Sequence, residues 1–288
     1  MKHNNNNKFC GKIVLLGKSN VGKSTLLNQI IGDKISIVSH KTNTTQTQVI
    51  GIQTENNFQL IYIDTPGIYN KKNIYFSINN INQYIKKTIA NANVIVFMIN
   101  QIHFNITDEK ILQLITKINK SIIVVINKID LINNKKLLLP FIQLLHKKNN
   151  NLNCIIPISA KKKHNITNLI KEIKTLLPQS RHEYSNNINT TNSLNFTITE
   201  IIREKIIYYF HKEIPYIIDI KVESINISSN RNCSIKVLLM VNNYRQKKII
   251  IGEKGEKIKH ISTLARKNIE KKILKTVFIT IWVITKKK

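Results

Sequence analysis

The stretch from Gly17 to Thr25 constrains the fold of this chain more than any other. It reads Gly-Lys-Ser-Asn-Val-Gly-Lys-Ser-Thr, follows the apolar run Ile13–Leu16 and precedes the helical pattern Leu26–Ile31. A strand, a glycine loop and a helix in this order fit the spacing G-x-x-x-x-G-K-[ST]. The glycines let the backbone turn its N–H groups inward, and the helix start adds the positive end of its dipole. The stretch therefore predicts a phosphate-binding loop; the alternative is an accidental glycine turn with a surface lysine.

This loop predicts a nucleotide site, because its side chains suit a phosphate chain. Lys23 can reach the β- and γ-phosphates as a mobile charge, and the Ser24 hydroxyl can bind Mg²⁺. The predicted contacts of the loop are Gly17, Lys18, Ser19, Asn20, Val21, Gly22, Lys23, Ser24 and Thr25.

Three further motifs follow predicted strands in an order that suits a guanine nucleotide. The first, Asp64-Thr65-Pro66-Gly67, closes a strand, so that Asp64 can hold Mg²⁺ through water and the Gly67 N–H can contact a γ-phosphate.

The other two motifs suit the guanine base. In Asn127-Lys128-Ile129-Asp130, the Asp130 carboxylate can accept from N1–H and the exocyclic amine of guanine, a pair of donors that adenine lacks. Asn127 can bond the base edge and neighbouring loops, and the Lys128 stem can cover the ring. Ser159-Ala160-Lys161 would back the base with a backbone N–H. Together these motifs predict GTP and GDP as ligands.

A switch loop is predicted before the second strand, in Lys41-Thr42-Asn43-Thr44-Thr45-Gln46. Thr45 is the preferred ligand of Mg²⁺ and the γ-phosphate, with Thr44 as the alternative. Ile68 follows Gly67 at the place where many GTPases carry a glutamine that orients water, so we expect slow intrinsic hydrolysis. Asn20 is a candidate ligand of K⁺; alternatively, it only tolerates a tight turn. Asn20 and Thr45 are therefore the candidate catalytic residues.

Short apolar strands alternate with helical patterns from residue 11 to about residue 178, which predicts an α/β domain with a mostly parallel sheet. The expected strands are Ile13–Leu16, Val49–Gln53, Leu60–Ile63, Val94–Ile99, Ile122–Ile126 and Ile155–Ile158. We expect a disordered start over residues 1–8, the first domain over 9–178, a linker over 179–195 and an α+β domain over 196–288. In the second domain the pattern is helix, two strands, two helices and a strand: Ile198 to Phe210, Tyr216–Ile227, Ser234–Asn242, two helices flanking Gly252–Gly255, and Val277 to Ile284.

The formal net charge of +29 is unevenly distributed along the chain. Residues 245–288 hold 14 basic and 3 acidic residues, net +11, whereas residues 181–244 hold 7 basic and 6 acidic residues, net +1. Lys, Asn and Ile share AT-rich codons, so mutational drift can account for much of the total, but a local excess attracts polyanions. The three cysteines are isolated, which favours reduced thiols in a cytoplasmic protein. We expect neither a secretory signal, because the first residues contain no apolar region, nor a membrane helix, because no apolar run reaches the required length.

The last basic block also contains Gly252-Glu253-Lys254-Gly255 between two helical patterns. This spacing resembles the G-x-x-G loop of KH domains, which lets nucleic-acid phosphates approach the backbone closely, and its place within the predicted α-β-β-α-α-β order and the basic block favours that interpretation. The predicted RNA contacts are Gly252, Glu253, Lys254, Gly255, Lys257 and Lys259.

The motifs together resemble the Era family of bacterial GTPases, within the broader group that also includes the TrmE and EngA GTPases. The resemblance rests on Gly17–Thr25, Ser36–Gly51, Asp64–Gly67, Asn127–Asp130, Pro157–Ala160, Ser193–Pro215, Gln246–Lys259 and Trp282-Val283, and spans residues 8 to 284. It implies a monomeric GTPase with a C-terminal type II KH domain. It also implies binding to the 3′ end of 16S rRNA, assistance in 30S subunit maturation and, as in some members, peripheral association with the inner membrane.

Three departures from the family pattern bear on these expectations. Ser19 stands where the family usually has proline, and Gln46 stands where it usually has arginine after the switch threonines. The sequence stops at Lys288, without the further segment that helps many members recognise the rRNA end, so weaker or less exact recognition is expected. Two other functions would also suit parts of the sequence: an RNA-binding protein whose nucleotide site only stabilises the fold, and a different GTPase such as a tRNA-modification enzyme. The intact nucleotide motifs argue against the first and the KH pattern against the second.

Overall fold

The computed structural model describes residues 7–38, 48–67, 83–148, 151–210, 214–228 and 232–286. The chain divides into two units, Met1–Thr191 and Asn192–Lys288. Residues 1–6 of the predicted disordered start, which was expected over residues 1–8, lie outside the described residues, as do the predicted functional positions Thr44, Thr45, Gln46 and Ile68.

A six-stranded sheet forms the centre of the first unit, in the order β2-β3-β1-β4-β5-β6. Its strands are β1 Phe9–Gly17, β2 Val49–Glu55, β3 Phe58–Asp64, β4 Val94–Asn100, β5 Ser121–Asn127 and β6 Cys154–Pro157. All neighbours are parallel except β2 and β3. The described helices of this unit are α1 Lys23–Ile31, α2 Gln83–Ala90, α3 Ile106–Ile115, α4 Leu138–Lys148 and α5 Ile166–Thr175. The prediction of a mostly parallel α/β domain is confirmed, and each predicted strand overlaps an observed one; the predicted strand Ile155–Ile158 extends one residue past the end of β6 at Pro157.

The apolar runs of the central strands explain why this sheet is covered on both faces. Val94 to Ile99 are each 0% exposed, and Ile122 to Ile126 are at most 1% exposed. A strand that buries consecutive residues must contact a layer on each side, which is typical of parallel sheets. One of those layers packs α3 and α4 residues such as Ile111, Leu112 and Leu145 against β4 and β5.

The strand register brings the predicted motifs to one edge of the sheet. Leu15 of β1 pairs with Asp64 at the end of β3, and Asn100 of β4 pairs with Asn127 at the end of β5. Ile126 pairs with Pro157, the last residue of β6. Because parallel strands end at a common edge, the loops after β1, β3, β5 and β6 gather there, as expected for a ligand site of an open α/β sheet.

The predicted linker, residues 179–195, is held against the first unit over much of its length. Isolated bridges pair Gln179 with Phe9 and Thr190 with Gly51. The Ile52 N–H also donates to the Asn189 carbonyl at 2.8 Å. The division between units therefore falls at Thr191, beyond the predicted first-domain limit at residue 178. We call residues 178–190 the strap.

The second unit packs helices on one face of a three-stranded sheet in the order β7-β8-β9. Its elements are α6 Leu194–Tyr209, α7 Ile214–Ile217, β7 Asp219–Ile227, β8 Asn232–Val241, α8 Tyr244–Ile251, α9 Glu256–Ile273 and β9 Thr276–Thr285. β7 and β8 are antiparallel, while β8 and β9 are parallel. The predicted α-β-β-α-α-β order is confirmed, with α7 as an addition.

The prediction of a strand over Tyr216–Ile227 is wrong at its start, because Ile214–Ile217 form the short helix α7 and the strand begins at Asp219. Pro215 explains the difference: its fixed φ suits a first helical turn, and its missing N–H is not needed there. Among the described residues, none of the helices is both long enough and apolar enough to cross a lipid bilayer.

Candidate nucleotide site and nucleic-acid loop

The loop between β1 and α1 adopts a backbone that requires its two glycines. Gly17 has φ 146° and Gly22 has φ 104°, conformations that L side chains rarely adopt. A side chain at Gly17 would collide with the Met98 carbonyl oxygen, and one at Gly22 would collide with the Asn127 amide. The helix α1 begins directly afterwards at Lys23. The predicted loop therefore has the turn and the helix N-terminus that phosphate binding requires.

Lys23 lies beneath this loop and points its amine at the loop backbone. Its Nζ donates to the Gly17 carbonyl at 3.1 Å and to the Lys18 carbonyl at 2.9 Å. The residue is 6% exposed. Burial lowers the pKa of the Lys23 amine to about 8, and the nearby Asp64 opposes that shift. A phosphate anion bound in the loop would favour the protonated form of the Lys23 amine again. Phosphate binding and protonation of this lysine are therefore linked.

Asp64 forms the centre of a hydroxyl–carboxylate cluster at the end of β3. Its Oδ2 accepts from Ser24 Oγ at 2.6 Å and from Ser36 Oγ at 3.0 Å. The residue is 0% exposed, and burial raises the pKa of its carboxyl while Lys23 and the two hydroxyls oppose this shift. Its Oδ1 is buried and receives no hydrogen bond from any described residue. A buried carboxylate with one unpaired oxygen beside a hydroxyl fits a hard divalent cation.

The turn after β3 packs directly on the phosphate loop. Thr65 Oγ1 donates to the Leu15 carbonyl at 2.8 Å, which fixes the turn to β1. A Cβ added at Gly67 would lie 2.5 Å from Ser19 Oγ and 2.8 Å from Ser19 N. Only glycine therefore allows the Asp64–Gly67 turn to approach the loop this closely.

Asn127 joins three loops at the end of β5. Its Nδ2 donates to the Val21 carbonyl at 2.8 Å, and its Oδ1 accepts from the Ala160 N–H at 2.9 Å. The side chain is 2% exposed. One amide thus connects the phosphate loop with the loop after β6, so the predicted contact of Asn127 with neighbouring loops is confirmed.

The predicted base-reading residues lie together beyond Asn127. Asp130 is exposed, and its Oδ1 accepts a short hydrogen bond from Ser159 Oγ, which itself accepts from the Lys162 N–H at 3.1 Å. Lys128 has a left-handed backbone, φ 62°, and partial burial lowers the pKa of its amine although Asp130 opposes the shift. The Ala160 N–H is engaged by Asn127, whereas Lys161 is exposed.

Two residues of this site had no assigned role in the sequence. Ser36 contacts Asp64, and no local pattern indicates this because it follows α1 in an irregular segment. Asp108 is 0% exposed and accepts from Lys18 Nζ at 2.6 Å, so α3 holds the phosphate loop. The spacing Asn105-x-x-Asp108 is a capping box at the start of α3, and it indicates a helix start but not the contact with Lys18.

Asn20 has φ 63°, a conformation that asparagine adopts more readily than most residues. This backbone agrees with the view of Asn20 as a turn residue. A role in K⁺ binding stays a prediction.

In the second unit, the loop between α8 and α9 carries the G-x-x-G motif in the expected position. Gly252 has φ 77° and Gly255 has φ 80°. A Cβ at Gly252 would lie 2.6 Å from Lys257 Cγ, whereas a Cβ at Gly255 meets no described atom within 4 Å. Glu253, Lys254 and Lys259 are exposed, and Lys257 is half-buried over Gly252. The loop thus presents backbone and lysines to solvent.

Comparison with known proteins matches each unit to a family. Residues 12–128 match the family described as 50S ribosome-binding GTPase, and residues 199–288 match the KH domain family. The GTPase Era of Buchnera aphidicola subsp. Acyrthosiphon pisum (strain APS) is 48% identical over 277 residues, covering 96% of this chain and 97% of the relative. The GTPase Era of Histophilus somni (strain 129Pt) is 38% identical over 276 residues, covering 96% of this chain and 91% of the relative.

Two solved structures agree with the fold over both units. The crystal structure of Era in complex with MgGDPNP and nucleotides 1506-1542 of 16S ribosomal RNA matches with a TM-score of 0.89 at 37% identity, covering 97% of this chain and 94% of that one. The crystal structure of a point variant of Aquifex aeolicus Era bound to GDP.AlF4- matches with a TM-score of 0.89 at 37% identity, covering 96% of this chain and 94% of that one. Because the identity extends through both units and nearly the whole of each relative, the chain belongs to the Era family of GTPases.

Proposed function

We propose that this GTPase is an assembly factor of the small ribosomal subunit that binds the 3′ end of 16S rRNA. The observation that supports this most is that one chain combines the phosphate loop, the Asp64–Gly67 turn and the Asn127–Asp130 motif with a G-x-x-G loop. The Era structure that matches both units holds MgGDPNP together with nucleotides 1506-1542 of 16S rRNA. We propose the same two kinds of ligand, a guanine nucleotide with Mg²⁺ and the 16S rRNA end, for the two sites described above.

In the proposed nucleotide complex, the chain recognises the two ends of GTP with different chemistry. The carboxylate of the exposed Asp130 accepts from N1–H and the exocyclic amine of guanine, while Ser159 Oγ donates to Oδ1 of the same carboxylate and holds it in place. Lys23 and the loop N–H groups bind the β- and γ-phosphates, and the Gly67 N–H contacts the γ-phosphate. The side-chain amide of Asn127 keeps these two regions at a fixed separation.

Mg²⁺ would be held by Ser24, by Asp64 through water and by Thr45 of the switch loop. The unpaired Asp64 Oδ1 and the adjacent Ser24 hydroxyl fit this role, while Thr45 lies outside the described residues. The ion supplies positive charge that neutralises the phosphate oxygens during hydrolysis. Asp64 in turn is kept in position by Ser36, so that its carboxylate is oriented before the ion arrives.

We further propose that K⁺, bound partly by Asn20, stabilises charge in the transition state, because Ile68 cannot orient water. Intrinsic turnover is then slow and higher in KCl than in NaCl at equal ionic strength. The chain acts as a monomer on the 30S subunit in the cytoplasm. The net charge of +29 supports attraction to rRNA and also peripheral attraction to anionic lipids of the inner membrane.

The test measures phosphate release from GTP with and without an RNA of the 16S 3′ end, together with RNA affinity. We expect hydrolysis by the wild-type chain and tight RNA binding that Gly255→Asp weakens. Gly255→Asn is the matched control, because asparagine tolerates the positive φ at this position and adds no negative charge. Absence of RNA binding by the wild-type chain, or equal weakening by both variants, would contradict the proposed role of the loop.

A further inference from the structure

The sheet of the second unit has one face that the helices do not cover. Alternate residues of β8 point to opposite sides, and Cys233, Ile235, Val237, Leu239 and Val241 are each 0% exposed in the core with α6, α8 and α9. The intervening residues Ser234, Lys236, Leu238 and Met240 are all exposed or half-buried. We call the side of the sheet that they share the outer face.

Two large aromatic side chains lie on this outer face. The register pairs Phe278 with Ser234, and Trp282 with Leu238, so both aromatics project to the same side. Phe278 and Trp282 are each 60% exposed. They are four residues apart on β9, roughly 13 Å at the usual rise of a strand. One planar group cannot stack on both rings at that separation, but two can.

Two lysines lie on the outer face close to these aromatics. One is in the same cross-strand row as Trp282, and the other is in the row between the two aromatics. Lys221 pairs with Leu238 and so lies in the row of Trp282. Lys236 pairs with Thr280, in the row between the two aromatics. Neither lysine forms an ion pair with any described residue.

The acidic residues of the neighbouring strand β7 do not cancel this charge. Asp219 is neutralised by Lys286 at 2.6 Å. Glu223 lies at the register shift of β7, where no residue of β8 is opposite to it, and it forms no ion pair with a described lysine. The outer face therefore combines exposed rings with positive charge that is available to an anion.

We propose that this outer face is a second surface for single-stranded RNA, on which two bases stack on Phe278 and Trp282 while Lys221 and Lys236 contact phosphates. Exposed aromatics on a sheet, interleaved with lysines, are a recurring platform for unpaired bases. The inference rests on the proposed RNA binding of the second unit, and it adds a surface distinct from the Gly252–Gly255 loop. A protein partner fits less well, because burying the patch would desolvate Lys236 between the two rings.

Trp282 is the only tryptophan in the chain, so its fluorescence reports on this face alone. The first probe is an RNA with the sequence of nucleotides 1506-1542 of 16S rRNA, and the second is an unstructured oligouridylate. We expect both RNAs to quench the tryptophan emission, with a midpoint equal to that of RNA binding measured by anisotropy of a labelled strand. Saturating RNA that leaves the emission unchanged would overturn the proposal.

The affinity test uses Phe278→Thr and Trp282→Thr, since threonine keeps the preference for a strand. Each change should weaken RNA binding about tenfold, the order expected for the loss of one stacked base. Lys221→Ala and Lys236→Ala should each lower the log–log salt slope by roughly 0.7. Tyr208→Ala is the control, because Tyr208 is 77% exposed on α6, away from the sheet. Thermal unfolding of each full-length variant shows whether it is folded.

The outcomes separate this inference from the proposed function. If the wild-type chain binds neither RNA, both are overturned. If it binds, and the two threonine variants bind as tightly as Tyr208→Ala, only the second surface is overturned. A concentration-dependent dimer that the threonine variants abolish, with unchanged RNA affinity, would instead assign the face to a second copy of the chain.

Discussion

Asp130 lies exposed after β5 with one carboxylate oxygen held by Ser159. In Asp130→Asn, the amide would present a donor to the guanine amine, so GTP affinity should fall and xanthosine triphosphate should become the better ligand. The charged hydrogen bond that is removed amounts to about 1.5–3 kcal/mol. Competition binding with the two nucleotides measures the change. Ser159→Ala is the control: it should weaken both ligands without reversing the preference. An unchanged preference for GTP in Asp130→Asn would refute the assignment.

Asp108 and Lys18 form an ion pair between α3 and the phosphate loop in which the carboxylate side chain is 0% exposed and the lysine side chain 22% exposed. Asp108→Asn leaves the charged Lys18 amine without its negative partner. The free energy of unfolding should therefore fall by on the order of 3 kcal/mol. The phosphate loop loses its attachment to α3, so GTP affinity should also fall. Denaturant unfolding and nucleotide titration measure the two effects.

A matched control for Asp108 is available on the same helix. Glu109 and Lys148 form an ion pair at 2.9 Å on the protein surface, where the Glu109 side chain is 38% exposed and the Lys148 side chain 43% exposed. Glu109→Gln should therefore change the free energy of unfolding by less than about 1 kcal/mol and leave GTP affinity as it is. Equal effects of the two substitutions would show that Asp108 does not position the loop.

At the scale of elements, one buried side chain of β3 contributes to holding the strap, together with the isolated bridges at its ends. Gln59 is 0% exposed; its Nε2 donates to the Tyr184 carbonyl at 2.8 Å and its Oε1 accepts from the Tyr184 N–H at 2.9 Å. Gln59→Leu removes both bonds and should destabilise the attachment by about 1–3 kcal/mol. Limited proteolysis should then cleave residues 178–190 faster.

Gln53→Leu provides the comparison for the strap. Gln53 lies on the adjacent strand β2. Among the described residues, its side chain forms only one long hydrogen bond, accepted from Tyr62 at 3.5 Å, so the substitution should leave the strap attached. If cleavage of the strap is equally fast in both variants, Gln59 does not hold it.

The elements that sequence could predict are those whose own residues form a recognisable apolar pattern. Val94 to Ile99 forms a short uninterrupted apolar run, which is typical of a strand buried on both faces. The strap has no such pattern, because isolated bridges and the side chain of Gln59 hold it rather than a ladder of its own. The same contrast applies within the site. The loops at strand ends were predictable from motif spacing, whereas the contacts of Ser36 and Asp108 depend on tertiary packing.

At the scale of the whole molecule, the charge of +29 can reflect function or codon drift, and the two differ in what they predict. A functional patch predicts unequal roles for lysines of equal exposure. Lys254 lies within the G-x-x-G loop and Lys259 follows it on α9, while Lys135 and Lys147 lie on the first unit; all four are exposed. Replacing any of them by alanine removes one charge without burying or exposing a core residue.

Lys254→Ala and Lys259→Ala should weaken binding of an RNA from the 16S 3′ end and reduce its log–log salt slope by roughly 0.7 for each phosphate that is no longer bound. Lys135→Ala and Lys147→Ala change the net charge equally, so they should lower affinity only through the long-range field, which salt screens within about 8 Å at physiological ionic strength. Measuring affinity from low to high salt separates the two effects. Loss of a local phosphate contact changes the slope of log affinity against log salt concentration, whereas the effect of a distant charge disappears at high salt. If the four variants reduce affinity equally at every salt concentration, the basic excess of residues 245–288 has no local function, and codon drift is its sufficient explanation.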